Sequence, residues 1–141
     1  MIGVFNRLDL RGIGAFSVDR TKDKIAEANR AQMMAGKGST RPIGRYRNTV
    51  YARYKNAANP QPGLGNVDLR LTGAFHKAIF VAVGGDAYEI DSSDGKTDDL
   101  VNRYGAQIFG LAPGPKSEYV EEHLTPVFQQ VIERETGLKF G

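Results

Sequence analysis

The clearest pattern of apolar residues lies near the C-terminus. Five apolar residues follow the spacing i, i+3, i+4, i+7 and i+8, which places them on one face of a helix: Leu124, Val127, Phe128, Val131 and Ile132. Gly137 is well placed to end this helix. Pro126 lies inside the pattern and cannot donate a backbone hydrogen bond to the previous turn. The pattern favours a bent helix that starts near Ser117, with a fresh helix capped by Thr125 as the alternative.

The first half of the chain shows weaker periodicity. A helix is predicted over residues 19–35, with Asp19 or Thr21 as its cap and Gly36 ending it in a left-handed turn. The following segment "RYRNTVYARYKNAA" carries aromatic and apolar residues at nearly helical spacing. It favours a short helix, although its β-branched and aromatic residues also suit a strand. "NPQPGLG" then breaks any element.

The second half predicts a helical turn, a hairpin and a helix. Thr72 suits the cap of a turn in "TGAFHKAI", which leads into the strand "AIFVAV". Gly84-Gly85 supplies turn residues before the return strand "AYEID". A further helix, "DDLVNRYG", should stop at Gly105. The expected fold class is α+β, a small antiparallel sheet packed by two or more helices, with a long C-terminal amphipathic helix and extended loops or arms.

Length and composition indicate one soluble domain over residues 1–141. Apolar residues make up 40% and charged residues 25% of the 141 residues, which is typical of globular proteins. We expect no membrane partner, because no apolar run approaches the ~18 residues that a span needs. No secretory signal is recognised, and the absence of cysteine excludes disulfides and thiolate sites. Residues 1–18 are rich in glycine and aperiodic, and we interpret them as an N-terminal docking arm.

Charge is divided unevenly along the chain. Residues 28–67 carry seven basic residues and no acid, whereas residues 86–135 carry eleven acids and four bases, a net charge of −7. This asymmetry suggests a surface that faces nucleic acid or a head-to-tail partner of opposite sign. Alternatively, the two segments neutralise each other within one fold.

The stretch "MAGKGSTRPIGRYR" resembles a phosphate-binding loop only superficially. Such a loop has the pattern G-x-x-x-x-G-K-[ST] after a strand. Here the first glycine position is Ala31, Gly38 follows Lys37, and a helix precedes the loop. We therefore interpret residues 36–47 as a mobile basic loop.

Catalytic and metal-binding patterns are also lacking in the sequence. Aligning Gly95 with an EF-hand loop places Ile90 and Val101 at ligand positions, and neither side chain can coordinate calcium. The two histidines, His76 and His123, form no metal-binding pattern, and we expect His76 on the exposed side of its helical turn and His123 on a solvated acidic face. We expect no enzyme activity, no cofactor and no metal.

The remaining candidate is the basic and aromatic segment between residues 37 and 55. Its arginines and tyrosines can neutralise phosphates and stack on bases, although Tyr46, Val50 and Tyr54 at helical spacing are more often packing residues. The candidate residues for contact with nucleic acid or another subunit are Lys37, Arg41, Arg45, Arg47, Arg53 and Lys55.

Two segments of the second half resemble phage neck and minor tail proteins of the tail-completion or virion-morphogenesis type. "VDLRLTGAFHKAIFVAV" is similar to their segment in which a Leu/Thr-Gly turn opens a short helix and leads into a strand. "VNRYGAQIFGLAPGPKSEYVEEHLTPVFQQVI" resembles their end, with an aromatic-Gly-Leu turn before a terminal amphipathic helix. The matching positions are Tyr104, Gly105, Phe109, Gly110, Leu111 and the helix from Glu118.

This resemblance implies a structural virion protein that forms a homo-oligomeric ring around the DNA channel at the head–tail junction. It implies portal or connector and tail proteins as partners, with packaged DNA as a further candidate contact. The chain would then be located in the virion, and in the host cytoplasm during assembly. The alternative is a small nucleic-acid-binding protein that uses the basic segment.

Overall fold

The first helix begins earlier than the sequence predicts. The computed structural model describes residues 10–70, 72–84 and 87–137, and in it helix α1 spans Leu10–Met34. Residues 10–18, which we expected in a docking arm, are therefore helical. Glycine costs a helix only about 1 kcal/mol relative to alanine, a local penalty that packing overrides. Residues 1–9 of the expected arm lie outside the described residues.

Two hydroxyl groups and a glycine shape α1. Ser17 and Thr21 each donate to a carbonyl four residues earlier at 2.8 Å, so both polar groups are satisfied within the helix. Gly36 adopts φ 78°, and the Lys37 N–H donates to the Gln32 carbonyl at 3.0 Å. The predicted left-handed helix end at Gly36 is thereby confirmed.

The predicted short elements follow in the expected order. Helix α2 spans Thr49–Ala58, helical turn α3 spans Ala74–Lys77, and helix α4 spans Thr97–Tyr104. Strands β1 (Ile79–Val83) and β2 (Tyr88–Ser92) pair antiparallel, from Ile79 opposite Ser92 to Val83 opposite Tyr88. The Gly84 N–H closes the hairpin on the Ala87 carbonyl at 2.7 Å, while Gly85 lies outside the described residues.

The C-terminal part is one continuous helical segment, as predicted by the favoured of the two alternatives. It consists of α5 (Pro113–Tyr119), a π-helical stretch (Val120–Leu124) and α6 (Thr125–Thr136), and ends at Gly137 with φ 73°. The Thr125 N–H donates to the Val120 carbonyl five residues back. This wider turn accommodates Pro126, which has no N–H of its own to donate.

The core lies between α1, the inner face of the hairpin and the C-terminal helices. Its fully buried members include Ile25, Met33, Val67 and Ile108. Arg30 ties α1 to α3 and to the start of β1, because it donates to the carbonyls of His76 and Ile79 at 2.7 and 2.9 Å. The architecture is α+β, as expected. No helix among the described residues is long and apolar enough to cross a membrane.

Candidate interaction surfaces

A buried ion pair fixes helix α2 to the rest of the fold. Lys55 Nζ lies 2.9 Å from Asp68 Oδ1, and the two side chains are only 9% and 3% exposed. The same ammonium group donates to the Arg70 carbonyl. Burying two charges is tolerated because they neutralise each other and find further hydrogen-bond partners. Lys55 is therefore committed to the interior and is not available to a partner.

Asp68 is the centre of this buried cluster. Asn59 donates to its Oδ2 at 3.0 Å, and the Arg70 N–H donates to its Oδ1 at 2.9 Å. Burial by itself raises the pKa of Asp68, but the hydrogen bonds from Asn59, Lys55 and Arg70 outweigh it and hold that pKa below its usual value of 3.8. The cluster also fixes the backbone at Leu69, whose φ of 61° is uncommon for a residue with a side chain.

His76 belongs to this cluster, and the prediction that it is exposed is wrong. Its ring is buried and its Nε2 lies 2.9 Å from the Asp68 carbonyl oxygen. Nε2 must carry the proton in order to donate to that oxygen, so the neutral ring has an unprotonated Nδ1. Burial lowers the pKa of His76 below its ordinary value of 6.5 and favours this neutral form.

The segment 36–47, which we expected to be a mobile basic loop, makes backbone hydrogen bonds at several points along its length. The Ile43 N–H donates to the Gly36 carbonyl at 3.0 Å, and the Ser39 N–H donates to the Gln107 carbonyl at 2.7 Å. At its far end the Tyr46 N–H donates to the Gly65 carbonyl at 2.8 Å. The Ile43 side chain is buried in the core.

The six predicted basic residues differ in exposure and in their hydrogen-bond partners. Lys37 and Arg53 are exposed, and Arg41 donates to the Tyr104 carbonyl at 3.2 Å. Arg45 donates to the Asn66 side chain at 3.0 Å. Lys55 is buried, as described above, and Arg47 lines a groove between α2 and α4.

This groove, named the basic groove, has a volume of about 360 Å³. The described residues that line it include five basic side chains and no acidic one: Arg47, Lys55, Arg70, Lys96 and Arg103. Lys55 is neutralised by Asp68, so the positive charge of the groove comes from the other four. Three of them, Arg70, Lys96 and Arg103, were not predicted, because they come from separate segments that only the fold brings together. Aromatic rings from Tyr46, Tyr51 and Tyr104 complete its walls.

The aromatic residues of α2 point outward more than expected. Val50 is 74% exposed and Tyr54 is 65% exposed, so the interpretation of these two as packing residues is wrong. The Tyr51 ring stacks on Tyr54 with centroids 6.2 Å apart and meets the Tyr46 ring edge-on at 5.1 Å. Tyr46 is half-buried, and its burial beside Asp68 raises its pKa well above the ordinary value.

A second groove, named the acidic groove, lies on the other side of α4. It has a volume of about 630 Å³ and lies between β2, α4 and the turn at residues 106–110. Three carboxylates and no basic side chain of the described residues line it: Glu89, Asp91 and Asp98. Its apolar walls include Ile90, Val101 and Phe109. Helix α4 thus divides a positive surface from a negative one.

The described residues contain no group of three or more His, Asp or Glu side chains placed to hold a metal ion. Comparison of the chain with protein-family models, curated proteins and solved structures gave no match. The two grooves are therefore the features of the structure from which a function can be proposed.

Proposed function

We propose that the chain is a structural protein of the phage neck or tail that forms a homo-oligomeric ring joining the head, at the portal, to the tail. The observation that carries this proposal is the pair of oppositely charged grooves on the two sides of α4. Each subunit thereby carries both halves of a complementary contact. The resemblance of residues 67–83 and 101–132 to phage neck proteins supports the head–tail junction as the location of such a ring.

Charge separation of this kind favours a head-to-tail interface over a two-fold symmetric one. A two-fold dimer would have to form two such positive-to-negative contacts at once between the same two subunits, which requires both surfaces to face the partner together. In this fold they lie instead on opposite sides of α4. In a head-to-tail contact the positive surface of one subunit meets the negative surface of the next. Repetition of that contact closes into a ring when the rotation between neighbours permits it.

The mechanism we propose is geometric. Subunits hold the portal and the tail in register around the DNA channel, and binding energy comes from surfaces that are formed before assembly. Rigid presentation lowers the entropy cost of association. The anchored loop at residues 36–47 and the capped helix α2 fit this requirement, since both are fixed by hydrogen bonds within the subunit.

Nucleic-acid binding is the second candidate, and one observation favours it. Tyr51 and Tyr54 stack on each other at an exposed surface beside Arg53, and no described carboxylate forms an ion pair with that arginine. Exposed rings and unpaired guanidinium groups are the features with which proteins hold single strands. Such binding should weaken steeply as the salt concentration rises.

Native mass spectrometry and negative-stain electron microscopy of the purified protein test the first candidate. We expect one predominant copy number and closed rings with a central opening at high protein concentration. Fluorescence anisotropy with labelled single-stranded and duplex DNA, over a range of salt, tests the second. A chain that stays monomeric at every concentration and binds DNA tightly at physiological salt would overturn the ring in favour of the DNA-binding function.

A further inference from the structure

We infer that the outer face of helix α2 in one copy docks into the acidic groove of the next copy. The inference rests on the proposed ring and specifies the surface that enters the acidic groove. This outer face adjoins the basic groove, because Tyr51 lines that groove and its ring stacks on Tyr54. The outer face, named the ridge, consists of Val50, Arg53 and Tyr54, which follow the spacing i, i+3 and i+4 and so lie on one side of the helix. The proposed occupant of the groove is a second copy of this chain.

The ridge is presented rigidly although its side chains are exposed. Asn48 caps α2 by accepting a hydrogen bond from the Tyr51 N–H at 2.9 Å, and Lys55 anchors the opposite face to Asp68. Val50 and Tyr54 expose apolar surface side by side on this helix, and contiguous exposed apolar surface is a feature of interaction sites. Tyrosine and arginine are also the residue types that most often dominate the binding energy of protein interfaces.

The acidic groove matches the ridge in charge and in polarity. Its three carboxylates form no ion pair with any lysine or arginine of the described residues. Apolar side chains of Val101 and Phe109 lie between them. Its volume of about 630 Å³ falls within the range of ~300–1,000 Å³ that is typical of pockets for drug-sized ligands, so several side chains can enter it.

A second copy is the occupant that these properties favour. The acidic groove disfavours nucleic acid, because its carboxylates would repel the negatively charged phosphates. A partner must instead bring a positive charge together with an aromatic or aliphatic side chain, and the ridge supplies both in one helical turn. Because ridge and groove belong to the same chain, every bound copy offers a new ridge or groove to the next one.

Two variants separate the two halves of the contact. The ridge variant Arg53→Ser/Tyr54→Ser removes the charge and the ring, and the groove variant Glu89→Lys/Asp98→Asn removes the negative charge. We expect each to weaken self-association at low salt by about tenfold or more in analytical ultracentrifugation. The matched control is Lys116→Glu, a charge reversal at an exposed position that lies on neither surface. It should associate like the unchanged protein.

Mixing the two variants gives the sharper result. The ridge variant keeps an intact groove and the groove variant keeps an intact ridge, so one joint forms and assembly stops at a dimer. A ridge that packed against its own copy would leave the groove variant assembling normally, which would overturn the inference. Circular dichroism spectra and thermal unfolding of each variant establish that the subunit is folded.

The outcomes also distinguish this inference from the proposed function. If the unchanged protein forms rings and both variants form the same rings with undiminished affinity, the ridge–groove contact is wrong while the ring stands. If the unchanged protein forms no oligomer at any concentration, the proposed function itself fails, and the inference fails with it.

Discussion

The two faces of helix α2 show how differently neighbouring basic residues are used. Lys55 lies inside the fold against Asp68, whereas Arg53, two residues earlier, is exposed and has no carboxylate partner among the described residues. Both belong to the same stretch without acids in the sequence. That stretch ends at Val67, and the next residue, Asp68, is the one that neutralises Lys55. A run of positive charge therefore does not identify an interface until the partners are located.

The largest expected difference between the faces is in stability. Lys55→Ala leaves Asp68 buried without its counter-ion, and we expect it to lower the free energy of unfolding by about 3–5 kcal/mol. Arg53→Ala on the exposed face should change that free energy by no more than about 0.5 kcal/mol. Urea denaturation followed by circular dichroism measures both. Equal effects of the two substitutions would contradict the claim that only the buried face of α2 stabilises the fold.

Protonation of His76 and Asp68 in the same cluster should lower the free energy of unfolding by less than Lys55→Ala does. Protonation leaves the side-chain packing in place. The pKa of His76 is lowered in the folded state, so the unfolded chain binds the proton more readily. Its contribution to stability is complete above its unfolded pKa of about 6.5 and decreases as the pH falls below that value. The lowered pKa of Asp68 acts in the same direction below about pH 3.8.

The variant His76→Gln isolates the first of these contributions. Glutamine keeps an N–H donor for the Asp68 carbonyl but does not titrate. Unfolding free energies measured between pH 7.5 and 5 should decline less steeply for this variant than for the unchanged protein. An identical decline in both proteins would show that His76 is not the group responsible.

The smallest expected effect concerns the cap that holds the ridge in place. Asn48→Ala removes the acceptor for the Tyr51 N–H and should cost about 1 kcal/mol of stability. Asn48→Asp retains an acceptor and should cost less. Thermal unfolding of the two variants measures the difference. A loss that is the same for both would mean that the side-chain hydrogen bond contributes nothing.

Sequence reasoning succeeded where the signal is local. Helix α4 stops at Gly105, the glycine at which its end was predicted. The hairpin and the continuous C-terminal helix were also found, because alternation and helical periodicity are visible in short windows. The start of α1 was missed, since its glycine-rich first turns depend on packing that no window of the sequence displays.

Sequence reasoning failed where the deciding partner is distant in the chain. His76 can be buried because the Asp68 carbonyl accepts a hydrogen bond from its ring. No sequence pattern around residue 76 predicts that bond. The basic groove was found only in part for the same reason, since Arg70, Lys96 and Arg103 come from three segments. The exposure of Tyr54 was missed because helical spacing of aromatic residues normally indicates burial.

Site-specific photo-crosslinking from position 54 tests the central claim most directly. A photoreactive phenylalanine analogue replaces Tyr54 in an otherwise unchanged chain. The products are digested and identified by mass spectrometry with isotopically mixed subunits. We predict cross-links between residue 54 of one copy and peptides that span residues 88–110 of another, at the acidic groove. Cross-links from residue 54 to helix α2 of a second copy would contradict the account. The absence of any cross-link between copies that have assembled would contradict it as well.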